Sequence, residues 1–244
     1  MSVIMKDISK HRKQVIDNGF SIAENIYSTE EIEMLLHIIN QADTSRNTFR
    51  KSSDLFAIRQ FLSEVPACRS IIFNDNLRFI LKSLLGDNHF SVKSIYFDKP
   101  QTSNWYVAYH QDLTISVDKK LNLEHYGPWT TKQNQFAVQP PIDILQNVLT
   151  IRIHLDDTDG ENGSLKVIPK SHLKGIYRPE TINWTLEKET NCVVPKGGIM
   201  LMKPLLLHRS GRTVNDKRRR VIHIEFSNQE LPTVLNWSER INLN

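Results

Sequence analysis

Cysteine is scarce in this chain: there are two among 244 residues, Cys68 and Cys192, far apart and with no CxxC spacing. That excludes a disulfide framework and a cysteine-based zinc site, and it suits a reducing compartment. Long apolar runs are also missing. "GIMLMKPLLL" is broken by Lys203 and Pro204 and is too short to span a bilayer. The first residues, "MSVIMKDISKHRK", contain charges and no apolar stretch of the kind a secretory signal needs. The expectation is a cytoplasmic protein with no membrane partner. Charge of one sign is not in excess either: 31 basic against 27 acidic residues give +4, and the basic cluster "NDKRRR" at 215–220 is not extended into a tail. Nucleic acid is therefore not an expected partner. No internal repeat or low-complexity tract is present.

What is present divides the chain into two patterns. Residues 1–89 read as mostly helical. In "YSTEEIEMLLHIINQA", Ser28 followed three residues later by Glu31 is a capping box, and Ile32, Leu35, Leu36 and Ile39 keep a helical period. "NDNLRFILKSLLG" is a second helix stopped by Gly86, and "NGFSIAENI" is a short strand entered by a turn. The polar segment 42–56 reads as irregular.

From residue 90 to about 230 the chain changes to short runs rich in β-branched and aromatic residues: "FSVKSIYFD", "WYVAYHQD", "NVLTIRIHLDD", "GIMLMKP" and "RRRVIHIEF". Turn pairs such as Asp159-Gly160, Asn162-Gly163 and Gly197-Gly198 separate them. This is the pattern of a jelly roll or barrel. Residues 119–147 fit neither half. They are long, proline-containing and aperiodic, and their aromatics Tyr126, Trp129 and Phe136 suit a lid packed on something. The whole chain, 1–244, is expected to be one domain with this insertion.

The chemistry centres on "YVAYHQDLTISVD". Alternating residues of a strand share a face, so His110 and Asp112 can reach one ion while Gln111 points away. His208 ends the strand-like run "GIMLMKPLLLH". Two histidines and a carboxylate form the facial triad of non-haem Fe(II) oxygenases, which leaves three coordination positions open for a cosubstrate and dioxygen. A 2-oxo acid cosubstrate also needs an anchor for its far carboxylate. The planar fork of arginine suits that, and strand alternation puts Arg219 on one face with Arg218 and Arg220 on the other.

The stretches "HQDLT", "LTIRIHLDDTDGENGSLKVIPKSHLKG" and "HRSG…RRVIHIEF" resemble the phytanoyl-CoA dioxygenase (PhyH-like) family of Fe(II)/2-oxoglutarate oxygenases. The resemblance runs from "NGFSIAENIYSTEEIEML" to "RVIHIEF". It implies a double-stranded β-helix, a jelly-roll or cupin-like core with the helical N-terminal part on one side. It makes His110, Asp112 and His208 the iron ligands and catalytic residues. Arg219, eleven residues beyond the distal histidine, becomes the 2-oxoglutarate arginine, assisted by Ser210. The implied cofactors are Fe(II), 2-oxoglutarate and O2. The implied reaction is dioxygenase chemistry that hydroxylates a small-molecule substrate and yields succinate and CO2. Related halogenases lack the carboxylate; Asp112 is intact, which favours hydroxylation. Lys170 stands where the family's turn has glycine.

Further candidates are Tyr96 for the cosubstrate pocket, and Trp129, Lys132 and Arg152 for substrate. Two other readings stay open: a nucleic-acid demethylase of the same chemistry, supported only by an isoelectric point near 9.0, and a non-catalytic jelly-roll binding protein. Substrate identity and oligomeric state are not legible.

Overall fold

The computed structural model describes residues 3–43, 45–51, 56–101, 105–132 and 135–243. Helices occupy Val3–Asn18, Thr29–Asn40 and Asp75–Leu85, with shorter turns between. The capping box is formed: the Glu31 N–H donates to Ser28 Oγ at 3.2 Å and the Ser28 N–H donates to Glu31 Oε2 at 2.8 Å. Two otherwise orphaned helix donors are thereby satisfied. Gly86 ends the third helix with φ 83°, a left-handed conformation that a glycine adopts without a Cβ penalty. Among the described residues no helix is long and apolar enough to cross a membrane.

Among the described residues the strands are β1 Phe20–Ala23, β2 Phe49–Lys51, β3 Phe56–Arg59, β4 Phe90–Lys99, β5 Val107–His110, β6 Ile115–Val117, β7 Trp129–Lys132, β8 Gln135–Val138, β9 Leu149–His154, β10 Leu165–Val167, β11 Thr190–Asn191, β12 Ile199–Met202, β13 His208–Ser210, β14 Arg219–Ser227 and β15 Ile241–Asn242. The major sheet has the order β1-β12-β9-β14-β4-β3-β2, with β15 also on β4, and the minor sheet has the order β11-β10-β13-β5. Their pairings are antiparallel. The result is the jelly-roll core the sequence predicts, with the helices packed on one side.

Alternation along the central strands explains where everything sits. In β14, Ile222, Ile224 and Phe226 join the core shared with the helices, as do Leu149, Ile151 and Ile153 of β9. Residues of opposite parity, Arg219 and His223 in β14 and Arg152 in β9, face a cavity that also takes residues of the minor sheet. Every residue of β9 is buried, as expected for a strand covered on both faces.

The segment 42–56 departs from its expected irregularity. Phe49–Lys51 and Phe56–Arg59 form a hairpin whose second strand pairs with the edge of β4, Ile58 opposite Tyr96. The reason is tertiary: Phe56 meets the Tyr96 ring edge-on at 6.2 Å, a contact with no local sequence signature. Residues 52–55 and 44 lie outside the described residues.

The insertion 119–147 is partly regular. β7 and β8 join β6 in a separate three-stranded sheet, order β6-β8-β7, followed by a helical turn at Ile142–Gln146. Trp129, Tyr126 and Phe136 pack on a second apolar cluster containing Val117, Val138 and Trp237.

Lys170 adopts φ 69°. A left-handed lysine is costly by roughly 1 kcal/mol, which is the reason glycine suits this turn. Lys170→Gly is expected to keep or raise the melting temperature and Lys170→Val to lower it, because a branched Cβ fits this conformation worst. Thermal unfolding of the two variants checks this.

Candidate active site

β5 and β13 are paired so that His110 and His208 are directly opposed. Their rings lie 4.3 Å apart, centroid to centroid. Asp112 follows just beyond the end of β5, where its N–H donates to the Pro204 carbonyl at 2.9 Å. Each imidazole is fixed by its own strand. His110 Nδ1–H donates to Ala108 O at 2.9 Å and His208 Nδ1–H to Leu206 O at 2.8 Å. This tautomer leaves both Nε2 lone pairs free and turned toward Asp112, the usual second contact of a metal-binding histidine. His110 Nε2 is 3.8 Å from Asp112 Oδ1, and His208 Nε2 is 3.8 Å from Asp112 Oδ2. These separations are too long for hydrogen bonds. Asp112 Oδ2 is buried and has no hydrogen-bond partner, a costly state unless a cation lies beside it. The donor set, two neutral imidazoles and a carboxylate, fits a divalent iron.

Electrostatics keep that set ready for metal. Burial pushes the His208 imidazolium down to about 4, partly opposed by Asp112. Burial disfavours the Asp112 carboxylate, but His208, His223, Lys93 and His110 outweigh it and hold the carboxyl well below its usual range. Both groups are then in the protonation state that a metal requires.

A second trio, Asp112, His223 and Glu225, also has its ligand atoms within 4.8 Å of one another. Hydrogen-bond chemistry argues against it. Arg152 Nη1 donates to His223 Nδ1 at 3.1 Å, so Nε2 must carry the proton and donate to Glu225 Oε1 at 3.2 Å. No lone pair on His223 remains for a metal. Glu225 also holds Lys93 Nζ at 2.8 Å. Arg152, His223 and Lys93 line the cavity, and the buried Glu225 links the last two into one chain. Glu225→Ala would leave the Lys93 ammonium and the His223 N–H without their acceptor. Denaturant unfolding should show a loss of about 3 kcal/mol, and Lys93→Met in the same chain should recover most of it.

Arg219 lies at another part of the same 160 Å³ cavity. It is 3% exposed, and its Nη2 is 3.4 Å from Ser210 Oγ, while Nε and Nη1 have no partner. Burial, then the neighbouring Arg152, pushes its guanidinium down to about 9. A buried guanidinium with two open donors is incomplete without an anion. Ser210 Oγ–H donates to Gly163 O at 3.1 Å, which orients the hydroxyl. Arg218 and Arg220 point the other way and pair with Asp98 and Asp156.

The other sequence candidates are divided. Arg152 lines the cavity. Tyr96 does not: it lies on the opposite face of β4, stacked on Phe61 at 5.8 Å in the helix-facing core. It is Lys93, Ile95 and Phe97 of that strand that face the cavity. Burying the Tyr96 ring among aromatics is worth about 2 kcal/mol, which fixes this parity. Trp129 packs against the apolar cluster of Val117, Val138 and Trp237 and does not line the cavity. The Lys132 side chain lies outside the described residues. Gln111 turns away from the triad, donating to Gly175 O at 2.9 Å and accepting from Tyr177 N–H at 2.8 Å. Two charged residues were not singled out from the sequence: Lys93, which lines the cavity, and Glu225, buried behind it. The second had a signal: His223 and Glu225 stand two apart on one strand, the same spacing that drew attention to His110 and Asp112.

Solved structures share this architecture. The chain is similar to the non-heme alpha ketoglutarate dependent epimerase SnoN from nogalamycin biosynthesis, at 13% identity and TM-score 0.68 over 91% of this chain and 84% of that one. It is similar to EctD from S. alaskensis, solved with 2-oxoglutarate and 5-hydroxyectoine, at 16% identity and TM-score 0.69 over 90% and 75%. HygX from Streptomyces hygroscopicus, solved with nickel, 2-oxoglutarate and hygromycin B, matches at 14% identity and TM-score 0.64 over 89% and 86%. No curated protein matches the sequence. The fold, together with a family model that covers most of the chain, defines the class: a 2-oxoglutarate-dependent non-haem iron oxygenase, with Fe(II), 2-oxoglutarate and O2 as its cofactors. The phytanoyl-CoA dioxygenase (PhyH) family model matches residues 16–221, and the chain belongs to that family.

Proposed function

We propose that this chain hydroxylates a small-molecule substrate, with His110, Asp112 and His208 holding Fe(II) and with Arg219 and Ser210 holding the far carboxylate of 2-oxoglutarate. One observation carries the reading. Two bare Nε2 atoms converge on a buried carboxylate oxygen that has no partner, in the same cavity as a buried arginine with two open donors. A metal and a dicarboxylate would satisfy all of these groups together.

Fe(II), bound with 2-oxoglutarate and dioxygen, supplies the oxidising power for breaking a substrate C–H bond. The chain's own task is positioning. His110 and His208 keep their Nε2 lone pairs aimed through the Ala108 and Leu206 carbonyls. Asp112 adds the negative charge of the donor set. Arg219 fixes the direction in which the cosubstrate lies, and the Arg152–His223–Glu225–Lys93 chain keeps the wall polar and rigid. The intact carboxylate at 112 favours hydroxylation over halide transfer. EctD, with 5-hydroxyectoine bound, and HygX, with hygromycin B bound, support a small-molecule substrate.

Anaerobic addition of Fe(II) and 2-oxoglutarate should give the weak visible charge-transfer band of a chelated iron centre. In air, succinate should be released when the enzyme is supplied with metabolite pools. A wild-type protein with no band, or an undiminished band in His110→Ala, would sink the proposal.

A further inference from the structure

A second cavity of 260 Å³ adjoins the first, and Lys93 and Ile95 line both. It lies beneath the three-stranded sheet of the insertion. Thr114, two residues beyond Asp112, is on its wall, so a molecule held there would lie beside the triad. We infer that this cavity is the substrate subsite, and that it takes a hydroxylated organic anion whose carboxylate or phosphate is held by Arg59. The inference rests on the oxygenase reading above.

Three observations carry it. First, Thr114, Ser116 and Thr130 contribute hydroxyls to the wall, beside the apolar Ile95, Phe136 and Ala137. A fatty acyl chain would strip water from these groups without replacing it, whereas hydroxyls on the substrate would pair with them. Second, the charges on the wall are unequally matched. Lys93 is held by Glu225 at 2.8 Å. Glu239 already accepts from the Ser94 N–H at 3.0 Å, and burial pushes its carboxyl up to about 7. Arg59, at the end of β3, has no hydrogen bond or ion pair for its guanidinium among the described residues. It is therefore the open cation on this wall, and its fork fits a carboxylate or phosphate. Third, the first cavity does not compete for this role, because 160 Å³ suits a compact cosubstrate and its own open cation is Arg219.

The test is calorimetric titration of the full chain, loaded anaerobically with Fe(II) and saturating 2-oxoglutarate so that Arg219 is occupied. The probes are gluconate, glucose 6-phosphate, glucose and glucosamine. At least one of the two anions should bind saturably and more tightly than glucose or glucosamine. Arg59→Gln should weaken that binding by about tenfold or more, and Arg59→Lys should weaken it less. Gluconate against glucose 6-phosphate separates a carboxylate from a phosphate. The inference is overturned if neither anion binds, if glucose or glucosamine binds as well, or if Arg59→Gln binds the anion as the wild type does. The charge-transfer band is recorded in the same samples. Its absence from the wild type would count against the iron reading, while the calorimetry still decides the subsite.

Discussion

Asp112→Asn is expected to abolish 2-oxoglutarate turnover and to weaken Fe(II) binding by more than about a hundredfold. That exceeds the loss typical of disturbing a residue that merely supports a metal ligand. The substitution keeps the side-chain shape and removes its charge. In the present structure both carboxylate oxygens face a histidine Nε2 at 3.8 Å, and the more deeply buried one has no hydrogen-bond partner. Among the described residues no N–H depends on these oxygens for an acceptor, so asparagine should leave the two imidazoles where Ala108 and Leu206 hold them. The expected signature is a folded protein with near-native circular dichroism, no charge-transfer band on anaerobic addition of Fe(II) and 2-oxoglutarate, and no succinate. A variant that kept the band would mean that the metal does not need Asp112. His208→Ala should give the same spectroscopic loss, because its ring is directly opposed to His110 across the β5–β13 pair.

The grouping of the candidate ligands was legible in the sequence for a specific reason. His110 and Asp112 are close in the chain, and a spacing of two places them on one side of an extended segment. That inference survives even though β5 ends at His110 and Asp112 lies in the following loop, anchored by Pro204. Arg219 was legible because an odd–even count along β14 separates it from two arginines that pair outside the cavity. The same count could not place Tyr96. Alternation gives two faces but does not say which is inner, and that choice is set by helices remote in sequence whose aromatic contacts capture the ring. Lys93 and Glu225 are opposed across β4 and β14. Two strands so far apart in the chain carry no mark of their register. The β2–β3 hairpin was missed for a related reason: its strands are three and four residues long, and β3 is ordered by pairing with β4, remote in the chain. Local patterns thus revealed the groups that meet within a strand or at its end, and the chain of charges beside the cavity depended on non-local pairing.

Arg219→Met should separate binding from stability in a way a structural arginine could not. The guanidinium is buried, with Nε and Nη1 lacking partners, and its pKa is pushed down to about 9. The sign follows from that shift. A base whose folded pKa lies below its unfolded value has its charged form disfavoured by folding, so at neutral pH this charge costs stability. Methionine, unbranched and apolar, removes the cost and fills much of the same space. The melting temperature of the metal-free variant should therefore be unchanged or raised, the stability–function trade-off of a binding site. Affinity for 2-oxoglutarate should fall sharply. A bidentate, charge-assisted contact is worth about 3–4 kcal/mol, so KM should rise by roughly a few hundredfold, while Fe(II) binding at the triad persists. Arg219→Lys keeps a point charge without the fork and should fall between the two. Ligand-linked unfolding gives an independent readout. With metal present, saturating 2-oxoglutarate should raise the melting temperature of the wild type by mass action and leave that of Arg219→Met almost unmoved. If Arg219→Met instead unfolded the protein while its 2-oxoglutarate response stayed normal, Arg219 would be a core ion and the cosubstrate's far carboxylate would have to be held elsewhere.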